Sequence, residues 1–148
     1  MIQQLGIALF VGLMIGLQRE MYYQREGRSG FAGARTFTLI ALLGYISAWM
    51  QASVPLFLHV MLFLFGLLVI IAYGYKTMKT DYHGATTEIA SFVTYVLGMM
   101  IYFSLESYAV LIAVVMLFLL ELKGALVKVE KQITQPDITS ATLFLVMT

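Results

Sequence analysis

The stretch LFLHVMLFLFGLLVIIAYGY, Leu56 to Tyr75, decides the fold. Its 20 residues include one histidine, His59, and no Asp, Glu, Lys or Arg. At the helical rise this length covers about 30 Å, the thickness of a bilayer's hydrocarbon. Working outward, four more apolar segments appear: about Ile2 to Leu17, Ala34 to Met50, Thr86 to Leu105 and Tyr108 to Leu122. The third span begins at about Pro55, where a missing N–H is harmless in a first helical turn. Between Met50 and Pro55 there is only QASV, and between Leu105 and Tyr108 only ES. Links this short make neighbouring helices antiparallel. The pattern predicts an all-α polytopic transmembrane bundle of five spans.

Composition agrees. Of 148 residues, 61% are hydrophobic and 11% charged, against about 45–50% and about 25% in soluble domains. Mean hydropathy is +0.89. The net charge of +1 and the lack of a basic tract argue against a nucleic-acid partner. Without cysteine there is no disulfide framework and no thiolate chemistry. No Ser/His/Asp set, metal-ligand spacing or phosphate loop is apparent, so an enzyme is not expected and no cofactor is implied.

The nine basic residues follow or flank the first loop (Arg19, Arg25, Arg28, Arg35), separate the third and fourth segments (Lys76, Lys79), or follow the fifth (Lys123, Lys128, Lys131). Five spans place all of them on one side. The positive-inside rule makes that side cytoplasmic and the N-terminus external. Residues 1–135 read as the membrane domain. Pro136 and Asp137 then interrupt the chain, and residues 136–148 read as a linker and the start of a sixth helix of a longer membrane protein.

Four of the five apolar runs are short. Leu5–Leu17 spans about 20 Å, Thr36–Met50 about 22 Å, Ile89–Leu105 about 25 Å and Tyr108–Leu120 about 20 Å. Residues just beyond them, Arg19, Glu20, Arg35, Glu88 and Glu121, are therefore drawn to the cytoplasmic boundary, and Thr36 and Thr87 complete the same candidate charged layer. Charges at membrane depth face the bundle interior and find partners. Arg35 and Glu88, each opening an outward-going helix, are the favoured pair. Two arginines at this level oppose cation binding, so the layer's metal is left unassigned. Gly12 and Gly16 have GxxxG spacing, and Gly33, Gly44, Gly66, Gly74 and Gly98 offer further close approaches. GART at Gly33–Thr36 echoes GATT at Gly84–Thr87, which suggests two parallel hairpins.

GLMIGLQRE (Gly12–Glu20), AGARTFTLIALLG (Ala32–Gly44) and GATTEIASFVTYVLG (Gly84–Gly98) resemble the MgtC/SapB family of bacterial inner-membrane proteins, over about Leu5 to Gln135. The family's motif falls on Gly12, Gly16, Arg19, Glu20, Gly33, Arg35, Thr36, Thr87 and Glu88. The resemblance implies a five-helix membrane domain tied to growth at low magnesium. It leaves two roles open. One is a transport-related or channel-like component for magnesium or another small ion or solute. The other is a regulator that binds another membrane complex, as the family's type member acts on the F-type ATP synthase. The soluble C-terminal domain of many relatives is missing, and the TTE element looks more like a subgroup continuing into a second membrane domain. Expected partners are the lipid bilayer and either a second copy or that second membrane domain.

Overall fold

A computed structural model describes residues 1–25, 32–79 and 84–130, with side chains as far as 122. Five α-helices make up these residues: α1 Ile2–Arg25, α2 Ala34–Met50, α3 Phe57–Lys79, α4 Thr86–Tyr102 and α5 Glu106–Glu130. No strand occurs among them. Two helices, α1 and α3, are long and apolar enough to cross a membrane, and α2 is a shorter apolar helix.

Cross-links fix the directions. Gln4 on α1 bonds to Glu106 on α5, and Gln18 to Glu121, so α1 and α5 run parallel. Arg19 near the end of α1 meets Thr87 at the start of α4, and Lys76 near the end of α3 meets Glu88. At one end Thr36 and Thr87 share a cavity wall, and at the other the Tyr45 and Tyr102 rings lie edge to face at 5.5 Å, so α2 and α4 run parallel. The helices thus alternate, as short links require. The ends of α1, α3 and α5 gather with the starts of α2 and α4.

The centre is a three-helix packing of α1, α2 and α4, with α5 against α1 and α4 and α3 against α2 and α4. Glycines make it close. A Cβ at Gly12 would sit 2.7 Å from the Phe37 carbonyl oxygen, and one at Gly16 would sit 2.6 Å from Ala34 Cα. Gly44 lies on the backbone of Tyr95 and Met99, and Gly98 reciprocally on that of Ala41 and Tyr45. That reciprocity is a local twofold relation between α2 and α4, the symmetry the GART/GATT echo suggests. It does not extend to the whole hairpin, since Gly44 follows the echo by 11 residues and Gly98 by 14. Around the crossing, Ala8, Ile15, Phe37, Tyr95, Leu97 and Ile101 are fully buried.

Three expectations change. The first helix does not stop at Leu17 but carries Arg19 and Glu20 inside it to Arg25, because Gln18 and Arg19 are buried against α5 and α4. Pro55 lies in the turn ahead of α3, where Leu56 takes φ 67° and the Gln51 side chain accepts the Leu58 N–H. The helix beyond Lys123 continues unbroken to Glu130. The linker and sixth-helix start expected over residues 136–148 lie outside the described residues.

Candidate functional site

The charged layer forms at the gathered end of the bundle. Arg19 is its centre, with 1% of its surface exposed. Its Nη2 donates to Thr87 Oγ1 at 2.9 Å, and Tyr23 Oη shares that hydroxyl at 2.6 Å. The Tyr22 and Tyr23 rings lie 5.1 and 5.5 Å from the guanidinium carbon, within cation–π range. Among the described residues Arg19 Nε and Nη1 have no hydrogen-bond partner.

Glu88, also buried, pairs through Oε1 with Lys76 at 2.9 Å, while its Oε2 has no partner among the described residues. Lys76 Nζ also donates to the Gly84 carbonyl at 2.8 Å. This corrects the expected Arg35–Glu88 pair. Arg35 is the second residue of α2, points outward, is exposed and forms no ion pair among the described residues. Lysine on the last turn of α3 sits favourably at the negative end of that helix and closer to the carboxylate.

Glu20 is exposed, and its Oε2 accepts the Ala34 N–H at 3.0 Å. It thereby closes the N-terminus of α2 from a different helix, since Gly33 provides no side-chain cap. A Cβ on Gly33 would lie 2.9 Å from that same oxygen and would push the carboxylate aside. Glu121 joins α5 to α1: Oε2 accepts from Gln18 at 3.2 Å, and Oε1 pairs with Arg25 at 3.2 Å on the exposed rim.

The structure therefore brings Arg19 and Thr87 into one contact, sets Glu88 beside them, and gives Glu20 and Glu121 separate tasks at the same level. Arg35 stands apart. Thr36, also exposed, lines a cavity of about 150 Å³ between α2, α3 and α4 together with Thr87, Glu88 and Ser91. Ser91 and Thr94 bond back to the carbonyls of Glu88 and Ala90 in their own helix. Among the described residues no group of three or more His, Asp or Glu could hold a metal. Sequence reasoning missed Lys76, Tyr23, Gln18 and Arg25. Tyr23 had a signal, since it lies four residues after Arg19 and shares its helix face.

A family model described as the MgtC family matches residues 5–129. The chain belongs to the MgtC family. The match takes in all but the first three residues of α1, the whole of α2 to α4 and all but the last residue of α5, with the whole of the charged layer. As an MgtC-family member it is a membrane protein of a family linked to magnesium transport or adaptation. No curated protein and no solved structure matches the chain. In this MgtC-family chain the GxxxGxxRE element places two small contacts, one buried cation and one helix-closing carboxylate along one side of α1. The AGART element supplies the α2 start that the carboxylate closes.

Proposed function

We propose that this MgtC-family protein is a five-span protein of the bacterial inner membrane, with its N-terminus outside and its charged end cytoplasmic. We read it as a transport-related or channel-like component for magnesium or another small ion or solute, and not as an enzyme. Alternating helices with Arg19, Arg25, Arg35, Lys76 and Lys79 at one end support that topology. So do the apolar side chains that α3 and α5 turn outward, such as Phe63, Ile70, Leu111 and Phe118.

One observation carries the solute reading: Arg19 is buried while two of its three nitrogens lack partners among the described residues. Buried polar groups that serve only to fasten helices are ordinarily satisfied. The second reading, a regulator seated on another membrane complex or a second copy, draws on α3, whose only buried side chain is Phe65. Solute flux into reconstituted vesicles separates the two. Flux that falls in Arg19→Gln supports the first. Absence of flux for every ion tried, with recovery of a stable partner complex, replaces it with the second.

A further inference from the structure

We infer that Arg19 and the first turn of α4 form a binding site for a small oxyanion, a phosphate or carboxylate group. The inference names a ligand class for the charged layer and rests on the solute-handling reading. Arginine keeps its charge under all physiological conditions, and this one is shut away from water. Its flanking tyrosine rings attract the cation without supplying a counter-charge. No carboxylate among the described residues lies within ion-pair distance of it. The nearest in sequence to its contact is Glu88, whose Oε1 is engaged by Lys76.

The second component is the helix. Nη2 of Arg19 is anchored on Thr87, the second residue of α4. Ala85 begins that helix with no side-chain cap. The backbone N–H groups of Thr87 and Glu88 have no acceptor inside the helix, and the positive end of the helix dipole falls here. A helix N-terminus with a guanidinium fixed to it is suited to an oxyanion. Space adjoins it: Thr87 and Glu88 are also walls of the cavity of about 150 Å³ between α2, α3 and α4. Glu88 Oε2, without a partner among the described residues, lacks only a donor, which the hydroxyl of a hydrogen phosphate ion or of a glycerol headgroup provides. The group can belong to an anionic phospholipid or to a free ion.

The test uses the full chain in nanodiscs of phosphatidylcholine, followed by thermal unfolding. Two probes are added separately, inorganic phosphate in the buffer and phosphatidylglycerol in the bilayer. A higher Tm with phosphate identifies a free ion, and one with phosphatidylglycerol alone a lipid headgroup; either supports the site. Arg19→Gln should abolish the shift, and Arg19→Lys should weaken apparent affinity by roughly tenfold or more, as expected for one lost charge-assisted hydrogen bond. Arg35→Gln, at the same end but exposed, should retain it. If Arg19→Gln does not fold, Arg19→Lys and Thr87→Val carry the comparison. No shift with either probe, or an equal shift without Arg19, overturns the site. So does Glu88→Gln restoring the stability lost in Arg19→Gln, which would make Glu88 the counter-ion. Anion binding without flux removes the transport reading and keeps the site. Flux in a chain that binds neither probe removes the site and keeps transport.

Discussion

Replacing Gly44 by alanine tests the α2–α4 crossing on which the rest of the packing depends. The added Cβ would overlap the carbonyl oxygen of Tyr95 and lie 2.9 Å from its carbonyl carbon and 3.3 Å from Met99 N. A comfortable carbon–oxygen contact is about 3.3–3.6 Å, so the helices must part by roughly 1.5 Å. Every atom met is backbone, so no side chain can turn away. Overpacking of this kind costs about 1–3 kcal/mol, and rigid obstacles belong at the upper end. Alanine returns about 0.8–1 kcal/mol of helix propensity. The net expectation is a loss of about 2 kcal/mol. Gly6 on α1 and Gly74 on α3 have nothing within 4 Å of the same added atom. There the propensity term acts alone, and alanine should stabilise by up to about 1 kcal/mol. Denaturant midpoints in one detergent give the three values side by side. Opposite signs are expected for the identical chemical change. Gly44→Ala behaving like Gly74→Ala would refute the close crossing. Combined with Gly98→Ala the losses should fall short of additive, because a single separation admits both methyl groups.

Lys76→Met should cost about 3 kcal/mol by stranding a buried Glu88, and adding Glu88→Gln should recover most of it; a double mutant as unstable as the single refutes the pairing. Glu20→Ala should cost about 1 kcal/mol through the uncapped α2 start, and Gly33→Ala should add little on top of it, since both act on one hydrogen bond. Arg35→Gln should stay within about 0.5 kcal/mol of wild type; a larger loss in the same unfolding assay would show that Arg35 has a partner after all. Outside the apolar segments, the hydrogen bond from Gln4 holds the Glu106 carboxyl below its ordinary range, with smaller help from its own backbone N–H and the chain's N-terminal charge. A lowered folded-state value contributes stability above the unfolded-state value and loses it as pH falls through the folded one. Unfolding midpoints taken through the acid range should therefore decline, and Gln4→Leu should flatten that decline.

Helix number and direction are legible in the sequence because apolar length and link length are one-dimensional properties. The small-residue contacts are legible too, since Gly12 and Gly16 share one face of α1 and meet the start of α2. Which residues populate the charged layer is largely readable from where the apolar runs end. Partner choice is not, because it depends on rotation about each helix axis. Arg35 and Glu88 begin parallel helices at similar depth, yet one faces outward and the other inward. Lys76 reaches Glu88 because α3 ends beside the start of α4. Helix length was misjudged at α1 for a related reason: the charges after Leu17 are taken up by neighbouring helices, so they do not end the helix.

The place of α3 has a consequence for the order of assembly. It separates α2 from α4 in sequence, yet those two lock glycine to backbone directly and α3 only rests against them, through Phe65 stacked at 4.9 Å on Tyr95 and the Lys76–Glu88 pair. The α2–α4 crossing cannot close until α3 has already been synthesised. The apolar α3 is thus made before α4, and the short, glycine-notched α4 must fold back past it to reach α2.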